Sequence, residues 1–206
     1  TNNFCTFEQT QHPRYIKDNS GTWQSFNENI GTTNCDQGFE YCVKGNNYYE
    51  LQITNNLGTK KIKRDNKEIS INPPSLQLGV EITNPLSVQG TVNENSIIYT
   101  DVIPGIMDIK YYYIWNKVKE DIIIKQNIFQ TAVENPKIKF NINLNNLQAI
   151  QSNNDLIFTD NSGNAIFKTG ERIIIDSAGN KALFDITMNE GVIEMILPLE
   201  FLQQAV

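Results

Sequence analysis

Ile138-Lys139-Phe140-Asn141-Ile142-Asn143-Leu144 sets an apolar side chain at every second position and a polar one between each pair. A β-strand turns alternate side chains to opposite faces, so this stretch reads as a strand with one buried and one wet face. Leu76, Leu78, Val80 and Ile82, interleaved with Gln77, Gly79, Glu81 and Thr83, read the same way and predict a second such strand. Working outward, clusters of turn-forming residues separate further strand-like runs: Asp65-Asn66, Asn116-Lys117, Asp160 to Asn164, Asp176 to Asn180, and Asn189-Glu190-Gly191. Asn and Asp bond their own nearby backbone and Gly supplies positive φ, so each cluster predicts a hairpin connection. Short strands joined by turns every 8 to 12 residues or so predict an all-β fold, an antiparallel β-sandwich, over residues 59–206. The helix candidate in that half is Pro198 to Ala205, where Pro precedes Leu199, Phe201 and Leu202.

Residues 1–58 show weak periodicity and hold all three cysteines and the single histidine. They predict an irregular, loop-rich segment. It is expected to pack on the sandwich, because Phe4, Phe7, Tyr15, Trp23, Phe26, Phe39 and Tyr41 would otherwise be exposed.

Composition excludes several functions. With 39% hydrophobic and 19% charged residues, the 206-residue chain can bury a core and is not a disordered polymer. A net charge of -6 has the wrong sign for neutralising phosphates, so nucleic acid is not expected as a partner. The longest apolar run, Tyr111 to Trp115, is far short of the roughly 18 residues of a membrane-spanning helix. One histidine, His12, rules out metal sites built on two imidazoles. Asn and Ile each occur 28 times, a pairing typical of AT-rich coding, yet no N-x-S/T sequon is present.

Cys35 and Cys42 enclose Asp36 to Tyr41, with Gly38 to let the chain return, a spacing compatible with disulfide geometry. That bridge is the preferred reading and implies an oxidising compartment. A bridge from Cys5 to Cys35 or Cys42 is the alternative, and one cysteine is left over in either case. A Cys/His nucleophile or a three-thiolate zinc site would have to recruit His12 and is not favoured, so no metal or cofactor is expected. The two D-x-x-G-N loops at Asp160 and Asp176 carry oxygen donors but depart from the EF-hand spacing, so they read as turns. Glu120 and Asp121 are adjacent and face opposite ways on a strand, which rules them out as an acid/base pair. Tyr111 and Tyr113 share one strand face, with Tyr112 and Ile114 on the other. They read as core material or as a flat binding face for a sugar or a partner chain.

The stretch Tyr99-Thr100-Asp101-Val102-Ile103-Pro104-Gly105-Ile106-Met107-Asp108-Ile109-Lys110-Tyr111 is followed by Val118-Lys119-Glu120-Asp121-Ile122-Ile123-Ile124. Together they resemble the Y-x-D/N-V-x-P-G-V-D-L-x-Y … K-E-x-I-V-L signature of a β-sandwich module. Such modules occur in large bacterial and archaeal surface proteins, including wall-associated and rearrangement-hot-spot repeat proteins. Leu156 to Phe167, Asp176, and Leu199 to Val206 are similar to the module's hairpin and closing helical turn. Met107 departs from the pattern, standing where the family more often passes directly from P-G-V to D. In the family the closing turn runs on into further sequence, so a longer parent polypeptide is expected beyond Val206. In this motif Pro104-Gly105 makes the turn, Asp101 and Asp108 accept backbone N–H groups, Tyr111 opens a strand, and Lys119 and Glu120 begin the returning one.

The resemblance implies an extracellular scaffold and assigns no catalytic residue. The expected function is therefore structural: a module of an exported surface protein, acting in self-assembly or attachment through copies of itself or neighbouring modules. A glycan- or protein-binding adhesin module is the alternative, and a polysaccharide-degrading enzyme the third reading. Neither nucleic-acid binding nor direct membrane insertion is expected.

Overall fold

The computed structural model describes residues 15–17, 21–25, 28–43, 49–114, 117–125 and 128–205. Cys5, His12, Phe4, Phe7, Phe26 and Asn116 lie outside them. The described residues begin with a two-stranded ladder, β1 (Tyr15–Lys17) with β2 (Trp23–Ser25), then β3 (Tyr41–Val43) and β4 (Glu50–Ile53). There follow β5 (Lys60–Arg64), β6 (Lys67–Ile71), β7 (Ser75–Leu78), β8 (Glu81–Thr83), β9 (Gly90–Asn93), β10 (Ser96–Ile103), β11 (Met107–Ile114) and β12 (Lys117–Ile124). The second half holds β13 (Lys137–Asn145), β14 (Gln148–Ser152), β15 (Asp155–Thr159), β16 (Ala165–Lys168), β17 (Ile173–Ile175), β18 (Lys181–Leu183), β19 (Asp185–Asn189) and β20 (Val192–Ile196). It closes with α1 (Leu199–Gln204). All of these ladders are antiparallel.

One sheet runs β12-β11-β10-β9, and a larger one runs β19-β20-β13-β6-β5-β4-β3. Their inner faces share one apolar core, with Ile97, Tyr99, Ile109, Tyr111 and Tyr113 of the smaller sheet meeting Val43, Leu51, Ile53, Ile69, Ile138 and Phe140 of the larger. This is the antiparallel sandwich that the alternating pattern predicts. β13 runs through the large sheet: its first half pairs with β20 and β7, its second with β6, while Asn141, Asn143 and Asn145 face solvent. A three-stranded sheet, β14-β15-β16, is tied in where the Tyr49 hydroxyl donates to Ile166 O at 3.2 Å and the Tyr49 ring lies 5.2 Å from Phe167. In α1, Leu202 is buried and the Leu199 N–H donates to Asn135 Oδ1, so the helical turn predicted after Pro198 closes the chain against the 129–135 segment.

Three expectations are corrected. Leu76 to Thr83 is not one strand but a hairpin, because Gly79 takes φ +58 and turns the chain, pairing Leu76 with Thr83 and Leu78 with Glu81. Val80 at the turn is therefore 96% exposed, and Ile82 points away from the core. Residues 1–58 are not wholly irregular either. β3 and β4 are full members of the large sheet, and Val43, Leu51 and Ile53 are core residues. Trp23, expected to pack inward, is largely exposed.

Candidate functional site

The Tyr99 to Tyr111 motif folds as a bulged hairpin. β10 and β11 pair Tyr99 with Ile109 and Ile103 with Met107, so β10 carries two extra residues between those points. Asp101 takes φ +55 in the bulge, and its N–H donates to Asp108 Oδ1 at 2.7 Å. The Gly105 N–H in turn donates to Asp101 Oδ1 at 3.0 Å. Ile106 N–H bonds Ile103 O at 2.9 Å across Pro104-Gly105, with Gly105 at φ +69, the arrangement of a type II turn. Lys125 Nζ joins both carboxylates, bonding Asp101 and reaching Asp108 Oδ1 at 2.9 Å. Met107 fills the core beside this turn. Asp101 and Asp108 thus accept backbone hydrogens, as expected from the sequence. Lys125, which carries no signal in the motif, neutralises them.

Glu120 and Asp121 do point to opposite faces. Asp121 pairs outward with Lys119 at 2.9 Å. Glu120 turns between the sheets, where its Oε2 meets Lys60 Nζ of β5 at 2.6 Å. Lys60 is 2% exposed, its ammonium 4.2 Å from the Tyr111 ring centroid and 5.7 Å from that of Phe140. This cation and its carboxylate tie one sheet to the other through an aromatic layer. Glu120 Oε1 is buried with no hydrogen-bond partner among the described residues. Lys60 carries only a faint signal in the sequence as an inward-facing cation. The available signal is that it alternates with Ile62 and so shares its inward face.

Tyr111 and Tyr113 do not form an exposed platform. Both are buried, because the face they share is the inner one. The Tyr113 hydroxyl donates to Tyr49 O at 2.7 Å, that of Tyr99 donates to Thr54 O, and the Tyr99 and Tyr111 rings meet edge to face at 5.9 Å. On the outer face Tyr112 is half-buried between Lys110, 4.4 Å from its ring centroid, and Lys119, at 5.3 Å.

Burial pushes the hydroxyls of Tyr99, Tyr111 and Tyr113 well above the ordinary phenol range, and the Glu120 charge raises Tyr111 further. Below about pH 9 both folded and unfolded chains keep these protons; above it the unfolded chain increasingly loses protons that the fold retains, so stability falls as pH rises. Urea midpoints should therefore decline steadily from about pH 9 upward, with at least three of the eight tyrosines silent to phenolate absorbance until unfolding. On the acid side Asp101, held low by Lys125, and Glu194, held low by Lys139 and Lys137, contribute stability that is lost as pH falls below the carboxylate range.

Cys35 and Cys42 are bridged, with Cα atoms 5.5 Å apart. Gly31 and Cys42 exchange two backbone hydrogen bonds, at 2.9 and 2.8 Å, so the bridge locks the loop before β3 onto that strand. Asp36 within the loop pairs with Lys63 at 2.6 Å, and its N–H donates to the buried Gln52 Oε1 at 3.0 Å. A disulfide fits a non-reducing compartment. No helix among the described residues is long and apolar enough to cross a membrane.

The loops at Asp160 and Asp176 are closed on themselves. Asp160 Oδ1 accepts from the N–H groups of Ser162 and Asn164, and its Oδ2 from Asn164 Nδ2. Asp176 repeats this with Ala178 and Asn180. Both carboxylates are engaged in turn formation, as read from the sequence. A shallow open groove beside the β17–β18 hairpin is lined by Asp155, Lys168, Thr169, Glu171 and Arg172. Its cations are engaged too: Lys168 pairs with Asp155 at 2.8 Å, and Arg172 donates to Phe184 O at 2.6 Å. No protein-family model matches this chain, and neither a curated protein nor a solved structure matches it.

Proposed function

We propose that this chain is a structural module of an exported cell-surface protein, serving self-assembly or attachment rather than turnover, of the kind that its Tyr99 to Tyr111 motif resembles. The observation that carries this reading is the use made of the motif's polar groups. Asp101 and Asp108 are held by Lys125 around a turn, and Glu120 by Lys60 between the sheets, so these carboxylates stabilise the sandwich and do not converge on an open cavity. The Cys35–Cys42 bridge supports a location outside a reducing cytosol. The partners of this reading are other copies of the chain or neighbouring modules.

The test uses the native source. Protease added to intact cells should release fragments of this chain, its thiols at Cys35 and Cys42 should resist alkylation without reductant, and a glycan panel should give no response. Recovery only from the cytosol with free thiols overturns the reading. A selective glycan response moves the function to a binding module instead.

A further inference from the structure

β12 is the outer strand of the four-stranded sheet and, at eight residues, the longest edge strand among the described residues. It pairs with β11 over all eight positions without a register shift, so the edge is regular. The Lys125 N–H donates to Ile106 O at 2.7 Å, which fixes the phase of the ladder. Odd-numbered residues of β12 exchange backbone bonds with β11, while Val118, Glu120 and Ile122 turn their N–H and C=O groups to the open side. Such a row is a template for another strand, and lysines on an edge ordinarily block it.

Here the charges are self-complementary. Lys119 and Asp121 lie on the outer face two residues apart, 2.9 Å from one another. An antiparallel copy of β12 centred on Glu120 sets each Lys119 opposite the other copy's Asp121. Val118 then meets the other copy's Ile122, twice, on the inner face. Moving the centre to 119 or to 121 instead brings two lysines or two aspartates face to face, which is unfavourable. The centred register also brings the outward backbone groups of Val118, Glu120 and Ile122 into about six hydrogen bonds. The two Glu120 side chains stand opposite one another on the axis, and the Lys60 ammonium that each holds at 2.6 Å offsets their like charge.

We infer that a second copy of this chain adds antiparallel to β12 about a two-fold axis at Glu120, joining the two four-stranded sheets into one continuous sheet. This rests on the assembly reading above and names its contact.

Sedimentation of the full chain tests it. The expected result is a species of twice 23.5 kDa that weakens at least about tenfold in Lys119→Asp, where like charges oppose, and recovers in the swapped Lys119→Asp/Asp121→Lys variant. Under oxidation, Lys119→Cys/Asp121→Cys should form a covalent dimer. Association that ignores Lys119→Asp and gives no such cross-link overturns this edge while leaving assembly through another face intact. A folded monomer at every concentration overturns the edge and self-assembly together.

Discussion

Lys60→Ala is expected to lower the unfolding free energy by about 3–5 kcal/mol, the largest effect of any single polar substitution proposed for this chain. The size follows from what remains. Removing the ammonium leaves the Glu120 carboxylate, 19% exposed, between two sheets without its partner at 2.6 Å, and its Oε1 already has no hydrogen bond among the described residues. The Tyr111 and Phe140 rings also lose the cation that sits over them. Lys60→Met combined with Glu120→Leu should recover most of the loss, because desolvating two ions offsets much of their attraction and a packed apolar pair has no such cost. The comparison is made by urea denaturation of the parent, Lys60→Ala and the Lys60→Met/Glu120→Leu double variant. A Lys60→Ala variant within about 1 kcal/mol of the parent would show the pair to be solvated, like an ordinary surface ion pair.

That pair also marks where sequence reading stops. β13 is legible because its nine residues keep one wet face, so Ile138 and Phe140 declare themselves core and Asn141 and Asn143 solvent. The same rule fails at Leu76 to Thr83. A two-residue turn at Gly79-Val80 preserves the alternation of letters while reversing the chain, so an unbroken apolar period spans two strands and places Ile82 on the opposite face from Leu76. β3 and β4 are three and four residues long, too short for a period to emerge, although they bury Val43, Leu51 and Ile53. For Tyr111 and Tyr113 the pattern correctly put both rings on one face. Which face is inward depends on the second sheet, whose strands are distant in sequence. Lys60 with Glu120, and Lys125 with Asp101, were illegible for that reason: the cations are defined by partners 60 and 24 positions away.

Opening the Cys35–Cys42 bridge should cost about 2–3 kcal/mol, since it frees in the unfolded chain a loop closed at a sequence separation of 7. For a chain of this size that loss corresponds to a fall in Tm of roughly 5–10 °C. The loss should begin locally. β3 is the last strand of the large sheet, held on its inner side by three residue pairs with β4 and on its outer side by the Gly31–Cys42 bridge. Without the disulfide, Cys35 is released from Cys42, the Gly31–Cys42 contact rests on its two backbone hydrogen bonds, and the Asp36 contacts to Lys63 and Gln52 lose the closed loop that positions them. Hydrogen exchange should therefore rise first between residues 31 and 43 in Cys35→Ser/Cys42→Ser, with the β10–β11–β12 ladder protected until global unfolding. Equal protection of both regions, with an unchanged urea midpoint, would mean that the edge is held by its backbone bonds alone. A marked loss would tie the fold of this segment to a non-reducing setting, because the same opening would follow wherever thiols are kept reduced.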